Sequence, residues 1–160
     1  MIASSTFSRG NAGSVIVNAN ALTLDGGGFD LFTGIASNAN PGSIGEAGEV
    51  GVRVDGLIKI VNGAEISSNT FGVGNAGSIS INAGECIIDG GDVDQFTGIA
   101  SQANSDSIGD AGAIAVTVDG LLKVINGAEI SSSTFSKGNA GSVITNARNI
   151  TIDGSDSSRF

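Results

Sequence analysis

The tetrapeptide GNAG at residues 10–13 returns at residues 74–77 and 138–141, and its relatives GEAG and GDAG occupy residues 45–48 and 109–112. The steps between successive copies are 35, 29, 35 and 29 residues. Two unlike half-repeats therefore form a 64-residue unit. Repeats of this length are typical of solenoids, in which each unit buries its apolar face only against its neighbours.

Three short runs of alternating residues follow one another in each half-repeat. Alternation places every second side chain on the same face of a strand. The first run supplies the inward residues Val15, Val50, Ile79, Ile114 and Val143. The second run supplies the inward pairs Leu22 and Leu24, Ile58 and Ile60, Cys86 and Ile88, Leu122 and Val124, and Ile150 and Ile152. The third run has the form Ile-x-Ser and begins at Ile2, Ile35, Ile66, Ile99 and Ile130.

Three strands per turn, joined at Gly-containing turns, predict an all-β fold, a right-handed parallel β-helix with about five three-sided coils. Each strand would pair in parallel with the equivalent strand of the next coil. We expect residues 1–160 to form one such array, in which 35- and 29-residue coils alternate. The longer coil carries an extra loop, at residues 26–34 and again at residues 90–98.

The composition supports a β-rich array and excludes several classes of partner. The chain contains 26 Gly, one Pro and no Trp, Tyr or His, so helix breakers are frequent and large aromatic anchors are rare. The formal net charge of −9 disfavours nucleic acid and anionic membrane surfaces, because both require clustered Lys and Arg. No stretch has the length and hydropathy of a membrane span, and Cys86 has no disulfide partner.

Four segments carry a resemblance to a known family: LTLDGG at residues 22–27, GNAGSISINA at 74–83, LKVINGAEIS at 122–131 and SSTFSKGNAG at 132–141. They resemble the β-helical repeats of filamentous haemagglutinin-like exoproteins, the large secreted partners of two-partner secretion systems, especially those of cyanobacterial members. The resemblance implies export through an outer-membrane transporter, an extracellular or outer cell-surface location, and a role in adhesion or matrix. The surface or matrix partner is not specified by any motif.

The two ends of the chain interrupt a repeat, and the secretion domain of the family has no counterpart in these residues. We therefore expect residues 1–160 to be a middle segment of a longer solenoid, or a short reading frame derived from one. No polar capping element is evident at either end of the sequence. Open strand edges and open aliphatic columns would favour end-to-end self-association.

The acidic residues offer the main alternative to a structural role. With no His and one Cys, the chain lacks His-based triads and the usual zinc sites. Its acids follow the repeat, as expected for solvated turns, in the sets Asp25, Asp89 and Asp153; Asp55 and Asp119; Glu65 and Glu129; and Glu46 and Asp110. We expect no enzyme and no cofactor. The alternative is a carbohydrate-binding or carbohydrate-degrading β-helix protein that uses these periodic acids.

One loop contains three carboxylates. Asp89, Asp92 and Asp94 lie beside Gly90 and Gly91, and oxygen donors on a Gly-containing loop suit calcium. The nonapeptide GGxGxDxxx of calcium-binding solenoids is absent. We expect an ordinary exposed turn without a bound metal, and these three aspartates remain the calcium candidates.

Overall fold

The structure is a computed structural model that describes residues 1–28 and 31–154. These residues contain eleven strands and no helix. The strands are β1 (Ile2–Thr6), β2 (Val15–Ala19), β3 (Leu22–Asp25), β4 (Thr33–Ala39), β5 (Val50–Val61), β6 (Ala64–Thr70), β7 (Ile79–Asp89), β8 (Gly98–Ala103), β9 (Ile114–Ile125), β10 (Glu129–Thr134) and β11 (Val143–Asp153).

The strands form two sheets that run along the solenoid. One sheet has the order β1-β4-β6-β8-β10, and the other has the order β11-β9-β7-β5-β2, with β3 also paired to β5. The pairing is parallel throughout these strands. Each step across a sheet passes from one coil to the next. The predicted all-β fold is confirmed as a parallel β-solenoid of about five turns.

The register aligns the inward residues of successive coils in columns, as the alternation predicts. One column joins Val15, Val50, Ile79, Ile114 and Val143. A second joins Leu24, Ile60, Ile88, Val124 and Ile152. A third joins Ile2, Ile35, Ile66, Ile99 and Ile130. The columns meet in one continuous aliphatic interior.

Burial in this interior is complete in the central coils and decreases toward the ends. Ile60, Ile66 and Ile88 have no exposed surface, whereas Ile152 in the last described coil is 77% exposed. A fully buried Ile or Leu side chain contributes roughly 1.5–3 kcal/mol through removal of apolar surface from water. The central coils therefore carry most of the hydrophobic stabilisation, and each coil depends on its neighbours.

The coil differs from the predicted three separate strands in one respect. The first and second runs are separate only as β2 and β3, whereas in β5, β7, β9 and β11 they form one long strand. A register shift marks the bend, between Val54 and Leu57 in β5 and between Ala83 and Cys86 in β7. Bulges of this kind bend a strand and increase its twist. One continuous strand thereby supplies two sides of the coil.

The corner between the second and third runs distinguishes the two types of coil. In the shorter coil, Asn62-Gly63 and Asn126-Gly127 have positive φ at all four residues, which is typical of a two-residue type I′ turn. In the longer coil, the chain leaves the second run at Asp25 or Asp89 and enters the extra loop. The loop therefore replaces a tight turn without changing the pairing on either side.

Replacement of Ile88 by Asp should unfold the central coils. The carboxylate would lie between Ile60 and Val124 in the buried column, with no cationic partner there. An unpaired buried charge is among the most destabilising single changes. We expect a loss of more than about 4 kcal/mol in the free energy of unfolding, measured by circular dichroism during urea titration.

Ile87→Asp is the matched control, because the preceding residue of the same strand points outward. Its neighbours in register are Lys59 and Lys123, which would attract the new carboxylate. The control should unfold at nearly the same urea concentration as the parent chain. Equal stability of the two variants would contradict the inward register of Ile88.

The 160-residue polypeptide should associate through its ends as its concentration rises. Ile2 is 51% exposed on β1 and Ile152 is 77% exposed on β11, and each strand lies at one end of its sheet. Unpaired strand edges and open apolar columns are templates for further strands. Sedimentation velocity over a concentration series should show oligomers. The double variant with Ile2→Lys and Ile152→Lys should remain smaller, and a parent chain that stays monomeric at every concentration would contradict the prediction.

Candidate functional site

The second residue of each GxAG tetrapeptide forms a hydrogen-bonded ladder along one corner of the solenoid. The side-chain oxygen of Asn11 accepts the backbone N–H of Glu46 at 2.9 Å. Asn75 then donates from Nδ2 to the Glu46 carboxylate at 3.4 Å and accepts the backbone N–H of Asp110 at 2.8 Å. The Asp110 carboxylate accepts the backbone N–H of Asn139 at 2.6 Å. Glu46 and Asp110 therefore connect coils.

Asp25 has a similar structural role at the corner where the longer coil begins its extra loop. Its Oδ1 accepts the backbone N–H of Gly27 at 2.9 Å and Nδ2 of Asn62, in the next coil, at 3.0 Å. The hydrogen bond from Asn62, followed by that from Gly27, lowers the pKa of the Asp25 carboxyl below its ordinary value. The carboxylate form therefore holds the turn and the next coil together.

The calcium candidates do not form a ligand cluster. Asp89 Oδ1 accepts the backbone N–H of Gly91 at 3.0 Å and Nδ2 of Asn126 at 2.8 Å, whereas Asp92 and Asp94 are exposed. Within the described ranges, no group of three or more His, Cys, Asp or Glu side chains could hold a metal ion. The structure thus assigns Asp89 a turn-forming role shared with Asp25, and calcium binding at this loop stays untested.

Buried and half-buried Ser and Gly residues form a second ladder, which we call the Ser–Gly ladder. Ser101 Oγ donates to the carbonyl oxygen of Gly77 at 3.0 Å and accepts the backbone N–H of Gly112 at 2.8 Å. Ser68 and Ser132 make the same two contacts, each with the last Gly of the GxAG in its own coil and the last Gly of the GxAG in the next coil. The Ile-x-Ser pattern places these serines on the third run, but their hydrogen bonds depend on the neighbouring coil and were not predicted.

The glycines of this ladder have no room for a side chain. A Cβ added to Gly77 would lie 2.1 Å from the carbonyl oxygen of Gly48, and a Cβ added to Gly112 would lie 2.1 Å from that of Gly77. Real Cβ atoms do not approach backbone oxygen so closely. The last Gly of GxAG is therefore required by coil-to-coil contact, and the recurrence of the tetrapeptide has a packing cause.

Cys86 is fully buried and Glu65 is half-buried, and the surroundings shift the pKa of each side chain. Burial raises the pKa of the Cys86 thiol to about 12, so the thiol is protonated at neutral pH and is a poor nucleophile. Burial also raises the pKa of Glu65, and its Oε1 accepts the hydroxyl of Ser67 at 3.1 Å. Its repeat partner Glu129 is exposed, so the two glutamates do not share an environment.

Asp153 ends β11, and the periodic acids Asp55 and Asp119 lie in one polar groove, which we call the corner groove. It runs along the corner where the first run bends into the second, and its lining includes Asn18, Asn20, Arg53, Asp55, Asn82, Gly84, Thr117 and Asp119. Two clefts of about 220 and about 270 Å³ meet at Arg53 and Asp55. Arg53 Nε lies 3.9 Å from Asp55 Oδ1, and both side chains are largely exposed. This groove brings amide, hydroxyl, guanidinium and carboxylate groups together on the surface.

Comparisons with known proteins identify no relative of this chain. No family model, no curated protein and no solved structure matches the chain. The described residues also contain no helix that is long and apolar enough to cross a membrane.

Replacement of Ser101 by Ala should destabilise the solenoid although it removes a single oxygen atom. Ser101 is fully buried, and the change leaves the half-buried carbonyl of Gly77 and N–H of Gly112 without their side-chain partner. Such unsatisfied groups cost about 1–3 kcal/mol. We expect a fall of several degrees in the melting temperature, measured by circular dichroism.

Ser80→Ala is the control for the loss of a hydroxyl. Ser80 is paired in register with Ala115, so alanine already occupies the equivalent place in the next coil. This variant should melt within about 1 °C of the parent chain. A Ser101→Ala variant as stable as Ser80→Ala would show that the Ser–Gly ladder is dispensable.

Proposed function

We propose that this chain is a non-enzymatic structural and adhesive repeat segment of a large secreted or cell-surface protein of the filamentous haemagglutinin-like kind. The observation that carries the proposal is the structural use of the periodic acids at the surface corners of the solenoid. Asp25, Asp89, Glu46 and Asp110 each accept hydrogen bonds that join neighbouring coils or close turns. Residues with these structural tasks account for the 64-residue period without a catalytic site.

The stacking geometry supports a role as a stiff spacer. Equivalent strands in neighbouring coils lie about 4.8 Å apart, so each 64-residue unit of two coils adds roughly 10 Å to the axis. The interior is continuous from coil to coil, and the outward positions are free to differ. A protein with many such units would hold a binding region at a distance from the point where the protein is attached.

The proposed location is the extracellular space or the outer cell surface, and the proposed export partner of the full-length protein is an outer-membrane transporter. Both follow from the repeat resemblance. The net charge of −9 supports a surface that does not bind nucleic acid or anionic lipid.

Antibodies raised against the folded 160-residue chain test location and adhesion together. On cells that produce the natural protein, they should label the surface without permeabilisation, and their Fab fragments should reduce attachment to the native substratum. An antibody against a cytoplasmic protein serves as the control for cell integrity. Labelling only after permeabilisation would refute the surface location, and surface labelling without any effect on attachment would refute the adhesive role.

A further inference from the structure

We propose that the corner groove binds a linear, uncharged polysaccharide that lies along the solenoid axis. This inference assigns a ligand class to the proposed adhesive function and rests on that function for its biological setting. The binding itself is a property of the described residues and is testable on the chain alone.

One of the two rows of outward side chains on the first run is polar, and we call it the polar file. In register, Asn18 pairs with Arg53, Arg53 with Asn82, and Asn82 with Thr117. All four are exposed. Successive members lie on strands about 4.8 Å apart. The file therefore presents hydrogen-bonding groups at regular intervals across four coils, which suits a polymer with regularly spaced functional groups.

The groove is concave at Gly84, which has no side chain in the row of residues that also contains Asp55 and Asp119. The coil that contains Gly84 lies between the coil of Asp55 and the coil of Asp119, and all three residues line one cleft. A Cβ added to Gly84 would lie 2.5 Å from the carbonyl oxygen of Asp55. The bulge between Ala83 and Cys86 bends the strand at this level. Together the missing side chain and the bend leave an open space between two carboxylates.

The lining chemistry favours an uncharged, hydroxyl-rich ligand. The amides and the Thr117 hydroxyl can both donate and accept hydrogen bonds, the Arg53 guanidinium donates, and the carboxylates accept. The groove therefore offers both donors and acceptors to sugar hydroxyls. Arg53 lies beside Asp55, and Asp119 adds a second carboxylate, which disfavours polyanions. The apolar lining is limited to Val54, Ala19 and Ala83, which is little for a peptide side chain.

The expected affinity per coil is low, because the groove contains no aromatic ring on which a sugar could stack. Strength would come from the repetition of weak contacts along one polymer and along many coils. This is the form of binding that an adhesive spacer needs, since a long solenoid contacts its substratum at many places.

Affinity electrophoresis tests the proposal under conditions that detect weak binding. The 160-residue chain is run in native gels that contain dextran, hydroxyethylcellulose, laminarin or polygalacturonate, and in a polymer-free gel. We expect at least one of the three neutral polymers to retard the chain, and polygalacturonate to retard it less. No retardation by any neutral polymer, or retardation by polygalacturonate alone, would overturn the proposal.

The double variant with Asn82→Ala and Thr117→Val locates the binding. Both side chains are exposed, so the variant should melt like the parent, while the loss of two side-chain contacts should weaken binding about 10-fold or more. Ser80→Ala, on the same strand but outside the groove lining, should bind like the parent. A double variant that is retarded as strongly as the parent would overturn the groove as the site. If groove binding fails while the antibody experiment succeeds, the adhesive function stands and its ligand contacts another face.

Discussion

The stacking of coils depends on the buried hydrogen bonds between serine hydroxyls and glycine backbone. Each ladder serine ties the third run of one coil to the GxAG corners, and the glycines let the backbones approach until no Cβ could fit. A polar ladder inside an aliphatic interior is costly unless every group is paired. It fixes which residues face each other in neighbouring coils. The aliphatic columns then follow this register, because a shift by one residue would turn them outward.

At the GxAG corner, electrostatic repulsion between neighbouring coils favours the alternation of two coil types. Because equivalent positions in neighbouring coils are only about 4.8 Å apart, a file of carboxylates would repel itself. Asn75 separates Glu46 from Asp110, and its amide both donates to the carboxylate before it and accepts the backbone N–H after it. An amide-to-acid alternation therefore stabilises a two-coil unit, which accounts for a 64-residue period instead of a single-coil one.

The sequence was sufficient to predict the columns but not the contacts between coils. The inward positions of Ile60, Ile88 and Val124 follow from local alternation, which a strand enforces residue by residue. The joining of two runs in β7, the pairing of Asp89 with Asn126 and the hydrogen bonds of Ser101 all involve groups from other coils. The corner groove was missed for the same reason. Its concavity depends on a backbone bend and on a glycine, and their effect is visible only when neighbouring coils are stacked.

The two rows of outward side chains on the first run differ in polarity, although both lie on the exposed surface of the same strands. On the first run, the file that contains Ile16 and Ile144 is apolar at its ends, with exposures of 64% and 55%, so the sheet surface tolerates large apolar side chains. Two residues further along the same strands, Arg53, Asn82 and Thr117 differ from one another, yet all of them form hydrogen bonds readily. Packing does not demand polarity at these exposed positions, so their side chains are available to the ligand proposed for the corner groove. A ligand that spans several coils would impose polarity on the whole file while it leaves each residue type free to vary.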